Sequence, residues 1–273
     1  MKKANYNHTR PETSVRLNKF IASAGLASRR KADEYIRFGY VRVNGKTIRE
    51  PGLQVNPKTD TVFVKNQKVK PPQDLVYLMF NKPTKVITTM NDPEGRPTIK
   101  DFLSQARITV FPVGRLDWDS EGLLLLTNDG AFAQKVSHPK NAIAKTYLVK
   151  VDGQPTAEQL RKLEKGVSII GGKVKAEHIS RLGSRGSEKY DWLKVIINEG
   201  KNRQIRMMFA KIGFDVKRLQ RVAIGSLKLG NLDRGRMMIL GPRELEKIFI
   251  LPKELRPAPV KKISTKKQAH RTP

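Results

Sequence analysis

Three short segments of this chain hold side chains able to make and break bonds. The first is Gly114-Arg115-Leu116-Asp117-Trp118-Asp119-Ser120-Glu121-Gly122, with one arginine and three carboxylates inside seven residues. Carboxylates so close together can supply a nucleophile or a base, work as a pair on a glycosidic bond, or hold a divalent metal. The same composition also describes a solvated turn. The second segment is Glu199-Gly200-Lys201-Asn202-Arg203-Gln204-Ile205-Arg206-Met207-Met208-Phe209. Arg203 and Arg206 stand three apart there, so both lie along one edge of a helix. The third is Ala144-Lys145-Thr146-Tyr147-Leu148-Val149-Lys150-Val151, an alternating strand whose Tyr147 is either a half-buried strand aromatic or a site residue.

Other chemistries find little support. Cysteine is absent, which excludes thiol nucleophiles and thiolate zinc sites. His8, His138, His178 and His270 are scattered without ligand spacing, so no zinc site is expected. The abundant positive charge argues weakly against a metal at the Asp117 loop. No glycine loop for phosphates and no dinucleotide fingerprint occurs, so no cofactor is expected.

The elements that must position these residues can be read from periodicity. Leu123 to Leu126 is a buried strand, and Asn128-Asp129-Gly130 is a turn that caps the following helix. Gly114 to Gly122 then reads as an irregular loop between strands, where sites are usually carried. Val195-Ile196-Ile197 is a strand leading to a helix capped by Asn202 and ended by Gly213, with Ile205, Phe209 and Ile212 as its buried stripe. Strands and helices mix without regular alternation from about residue 75 to 252. That pattern predicts an α+β domain rather than a doubly wound parallel sheet.

A smaller module precedes it, over residues 15–70. Leu17, Phe20, Ile21 and Ala24 form one helix face, and Gly25 ends that helix. Ser28 caps a second helix with Ala32, Tyr35 and Ile36 inward and Gly39 as its stop. Val41 and Val43 alternate as a strand before the tight-turn pair Asn44-Gly45, and Thr61 to Val64 is a further strand. Pro71-Pro72 marks a stiff linker. Residues 1–14 read as a disordered basic arm and 253–273 as a disordered basic tail.

Lys+Arg is 54 against Asp+Glu 25, a net charge of +29, which repels itself unless a polyanion neutralises it. Nucleic acid is the leading partner. No apolar run approaches a membrane span, no basic amphipathic helix carries a bulky aromatic face, and no secretory signal is visible, so a cytoplasmic protein off the membrane is expected. The charge is concentrated: Arg16 to Lys46 holds eight Lys/Arg against two acidic residues. Arg29, Arg30 and Lys31 fill the first turn of the second helix, where the dipole disfavours cations. Beside the free N–H groups of that helix end they make a phosphate grip.

Val15-Arg16-Leu17-Asn18-Lys19-Phe20-Ile21-Ala22, Gly25-Leu26-Ala27-Ser28-Arg29-Arg30-Lys31-Ala32 and Val41-Arg42-Val43-Asn44-Gly45-Lys46 resemble the alpha-L (S4-type) RNA-binding domain. The chain from Val15 to about Pro252 resembles the RsuA-type ribosomal RNA pseudouridine synthases, which implies a mixed, mainly antiparallel sheet in the larger unit. Gly114-Arg115-Leu116-Asp117 is similar to the catalytic loop of that family, Lys145-Thr146-Tyr147 to the tyrosine segment, Gln204-Ile205-Arg206 to the basic segment, and Leu78-Met79-Phe80-Asn81-Lys82-Pro83 to the opening strand. Asn91 to Thr98 is similar to a loop of the RluB-like, large-subunit branch. Lys85 departs from the pattern, which commonly has glycine there.

The resemblance implies an isomerase that turns a uridine of ribosomal RNA into pseudouridine without metal or cofactor. Asp117 would be the nucleophile, or the base of a glycal route. Arg206 would pair with Asp117 and keep it ionised. Tyr147 would stack on uracil and help the last proton transfer. Arg115, Arg203, Ile205, Arg29, Arg30 and Lys31 would contact RNA, with Arg115 helping to extrude the base. Large-subunit 23S RNA is favoured, with 16S RNA or an assembling pre-ribosomal particle open, and a monomer is the default. Two rivals are a non-catalytic RNA-binding or ribosome assembly protein and a metal-dependent RNA hydrolase.

Overall fold

The structure, a computed structural model, describes residues 14–70, 74–103, 109–182 and 189–257. The expected linker at Pro71-Pro72, residues 1–13 of the basic arm and the tail beyond 257 lie outside the described residues.

In the first unit, helices Leu17–Ser23 and Arg29–Arg37 pack against a four-stranded sheet. Leu17, Phe20 and Ile21 from the first helix meet Ala32 and Ile36 from the second, and Val41, Val62 and Val64 close the core from below. Tyr35, expected inward, is only half-buried. The Ser28 hydroxyl accepts the Lys31 N–H, as its cap position predicts. Asn44 and Gly45 take φ of 51° and 81°. Two positive φ values make the tight turn that pairs Val43 with Lys46 and Val41 with Ile48.

The second unit is built on a nine-stranded sheet. Its main path runs His178–Arg181, Tyr190–Ile197, Lys145–Asp152, Val216–Ile224, Ser120–Thr127, Tyr77–Lys82 and Met237–Ile239. Neighbours are antiparallel except Val216–Ile224 against Ser120–Thr127, which run parallel at the centre. The sheet is therefore mixed and mainly antiparallel, as expected. Leu124 and Leu126 pack into a core on one face, with Leu163, Ile205 and Phe209 from helices. Leu123 and Leu125 pack on the other face, with Val136 and Ile248. Burial on both faces is why this strand reads as an unbroken apolar run.

Three boundaries differ from expectation. The loop after Gly114 ends at Asp119, because Ser120, Glu121 and Gly122 already belong to the strand. At Gly122 the parallel neighbour comes so close that a Cβ would stand 2.2 Å from the Arg221 carbonyl oxygen, which only glycine tolerates. The helix expected to be capped by Asn202 begins at Gln204, with Arg203 as its N-cap residue in the left-handed region at φ 47°. No side chain caps its first turn, and the Gln204 side chain instead reaches back to accept the Lys201 N–H. Finally, Lys253–Leu255 forms a 3-10 turn rather than tail, and Glu254 pairs with Lys194 of the sheet. That lysine holds the Glu254 carboxyl below its ordinary range. Lys85 adopts φ 62°, the conformation that a glycine would take without strain.

Candidate active site

The loop carrying Asp117 is pinned from Leu116 to Asp119. The Thr88 hydroxyl donates to the Leu116 carbonyl at 2.6 Å and accepts the Leu116 N–H at 3.2 Å. The Ser120 N–H closes a turn on the Asp117 carbonyl at 3.1 Å, and the Lys85 N–H reaches the Trp118 carbonyl at 2.8 Å. Arg206 donates Nη2 to the Asp119 carbonyl at 2.9 Å and Nη1 to the Val216 carbonyl at 2.6 Å. Lys82 donates Nζ to the carbonyls of Ser120 and Pro83, each at 2.9 Å. With its backbone so committed, the loop can hold the Asp117 carboxylate in one place without reorganisation.

Lys82 is fully buried, and burial pushes its pKa down to about 8, against the opposing pull of Asp117, Asp119 and Glu121. It is therefore still mostly charged at neutral pH and offsets the three carboxylates from behind. Glu121 itself is buried between Arg218 and Arg234.

Asp117 is half-buried on the wall of a cavity of about 310 Å³. The same wall carries Tyr147, Arg115, Arg203 and Ile205. Tyr147 is buried and Ile205 is 3% exposed, whereas Arg115 and Arg203 are exposed. Residues far apart in the chain are thus brought to one cleft. Ile205 serves both the core of its helix and this wall.

Arg206 is placed differently from expectation. Its ion pair is with Asp119, Nε to Oδ2 at 3.1 Å, at an angle that makes no hydrogen bond. Asp117 acts on it only as a weaker neighbouring charge, and burial is the main influence, drawing its pKa down. Arg203 reaches the same Asp119 carboxylate at 3.2 Å. The reason is geometric: Arg203 stands at the N-cap and Arg206 in the first turn of the same helix, and this helix start meets Asp119 at the far end of the loop.

The cations of the first unit stand elsewhere. Arg29, Arg30 and Lys31 are exposed on the opening turn of their helix. Lys31 pairs with Glu34 and lies 5.6 Å over the Tyr35 ring, so it is less free than Arg29 and Arg30.

Sequence reasoning missed two residues of the cavity. Lys145 shares the Tyr147 face of its strand, and burial with nearby Arg221 lowers its pKa to about 8. Arg221 is 3% exposed and sits opposite Tyr147 in register. Its signal was present: Leu219, Arg221 and Ala223 alternate on the inward face of Val216–Ile224, a parity that puts a charge inside. Among the described residues no group of three His, Cys, Asp or Glu side chains could hold a metal ion. Among the same residues no helix is long and apolar enough to cross a membrane.

Residues 76–211 match the family model described as RNA pseudouridylate synthase, and residues 15–62 match the S4 domain. The chain is 42% identical over 236 residues to ribosomal large subunit pseudouridine synthase B of Bacillus subtilis (strain 168), covering 86% of this chain and 96% of that protein. It is 40% identical over 245 residues to the dual-specificity RNA pseudouridine synthase RluF of Escherichia coli (strain K12), covering 88% of this chain and 80% of that one. A crystal structure of a pseudouridylate synthase superposes with a TM-score of 0.59 at 29% identity, over 86% of this chain and 99% of the other.

Proposed function

This chain belongs to the RNA pseudouridylate synthase family and is an enzyme that isomerises uridine in RNA, and on that basis we propose that its substrate is ribosomal RNA and its nucleophile Asp117. The observation that carries the assignment of Asp117 is its place on a rigid loop at a cavity shared with Tyr147. The carboxylate attacks the ribose, or removes its 2′ proton in a glycal route, while Tyr147 stacks on the base and assists the last proton transfer. Arg206 acts through Asp119 by holding the loop, and Arg115 at the exposed rim helps to extrude the base. Arg203 and Ile205 line the way in.

Large-subunit RNA is the preferred substrate, supported by the Asn91 to Thr98 loop and by the name of the Bacillus relative. Small-subunit RNA or an assembling particle is the second reading. The enzyme works as a cytoplasmic monomer, without metal or cofactor, with residues 15–70 as the RNA clamp and 75–252 as the catalytic unit. Mapping pseudouridines in ribosomal RNA from cells with and without the gene is the direct test, and loss of one large-subunit site is expected. Purified enzyme should restore that site on a pre-folded hairpin in excess chelator. An unchanged map, or activity that returns only with a specific divalent ion, would refute this reading.

Arg29, Arg30 and Lys31 bind phosphates and so set affinity rather than rate. Replacing all three with alanine should weaken RNA binding and flatten its salt dependence, by about 0.7 to 0.9 in logarithmic slope for each phosphate left unneutralised. Because Lys31 is already paired, its share is the smallest. The saturated single-turnover rate should change little. A titration at two salt concentrations decides, and wild-type affinity and slope would dismiss the clamp.

A further inference from the structure

Arg221 is a buried cation that lines the catalytic cavity and has one donor without a hydrogen-bond partner among the described residues. Its Nε donates to the Leu123 carbonyl at 2.7 Å, and its Nη1 lies 3.5 Å from the Tyr147 hydroxyl. Its Nη2 is buried and has no hydrogen-bond partner among the described residues. Among those residues no carboxylate is found in an ion pair with it. Leaving a buried donor of a charged group unmade is expensive, and such groups persist where something else completes them. The position is enforced by the sheet. Arg221 is in register with Gly122 on one side and Tyr147 on the other, and the close approach at Gly122 leaves its backbone no slack. Guanidinium is suited to the place because it keeps its charge when buried.

The reaction creates a negative charge that needs such a donor. When the bond from ribose C1′ to uracil N1 breaks, its electron pair stays on N1 and spreads to the two carbonyl oxygens. C1′ gains a bond to the Asp117 carboxylate, or the sugar gives its 2′ proton to it. The freed base must then turn without leaving. C5 next bonds to C1′, the bond to Asp117 breaks or the 2′ proton returns, the C5 proton leaves, and N1 takes up a proton.

We propose that Arg221 is a catalytic residue that donates Nη2 to a carbonyl oxygen of the uracil anion, stabilising the leaving group and holding it while it turns. This role rests on the assignment of Asp117 and the RNA substrate above. Lys145, on the same wall, adds positive charge nearby without replacing the directed donor.

A substrate with a better leaving group separates this role from a structural one. Fluorine at C5 withdraws electrons, so 5-fluorouracil is the stronger acid and depends less on an outside donor. The experiment measures single-turnover consumption of uridine or 5-fluorouridine at the mapped site of one RNA hairpin. Arg221→Gln should slow the uridine substrate by about 10²-fold, the usual cost of removing one oxyanion donor. The 5-fluorouridine substrate should lose only about tenfold, with RNA affinity and melting temperature kept. Equal losses on both substrates, or no loss, would overturn the proposal. If Arg221→Gln does not fold, Arg221→Lys decides by the same comparison, with smaller losses in the same order. Wild-type enzyme that converts neither RNA would instead refute the function proposed above.

Discussion

Asp117→Asn is expected to abolish pseudouridine formation, with a fall in the single-turnover rate of at least about 10⁴-fold, the scale seen when a nucleophile is removed. The amide that replaces the carboxylate is neither a competent nucleophile nor a base, and no other described carboxylate lies on the cavity wall except Glu199. The substitution should leave the loop in place. Its anchors are the Thr88 hydroxyl, the Lys85 N–H, Lys82 and Arg206, and they bind backbone carbonyls or the Leu116 N–H rather than the Asp117 carboxylate. RNA affinity should stay within about twofold or tighten slightly, because one negative charge is removed from a surface that meets phosphates. Filter binding and chemical mapping on the same RNA check both halves. Residual turnover by the pure variant well above background would remove Asp117 from its role.

The second large effect tests how Arg206 acts. If it held the nucleophile by direct pairing, Asp119 would be dispensable. The structure instead puts the Asp119 carboxylate and carbonyl between Arg206 and the loop. Arg206→Ala should therefore lower the chemical step by about 10²-fold, since misplacement near 1 Å costs that much. Asp119→Ala should cost a comparable factor, and the double variant should be little worse than either, because both remove one restraint. Arg206→Lys should keep part of the rate, as it preserves the ion pair but not the hydrogen bond to the Asp119 carbonyl. Binding should hold in every case, apart from the contribution of Arg203 once Asp119 is gone. Single-turnover rates across the four proteins read the coupling. Additive losses, or a wild-type rate for Asp119→Ala, would return Arg206 to direct contact with Asp117 or RNA.

Features set by short-range physics are legible in the chain itself. Helix faces at Leu17, Phe20 and Ile21, the Ser28 and Asp129 caps, and the Asn44-Gly45 turn all depend on residues within a few positions, and all stand as read. The α+β class followed from strands that do not alternate with helices. The segments around Asp117, Tyr147 and Arg206 were legible as motifs, whose residue order survives in one dimension. The pairing inside the site was not, because it depends on register between distant strands. Arg206 meets Asp119 across 87 positions, and Arg221 meets the Leu123 carbonyl across 98. Both follow from the parallel pairing at the centre of the sheet, where Gly122 lets two strands approach more closely than a side chain would allow. Burial is likewise a tertiary outcome. Lys82, Lys145 and Arg221 look like three more cations in a strongly basic chain, and only the closed fold buries Lys82 behind the Asp117 loop and brings Lys145 and Arg221 to the wall of one cavity.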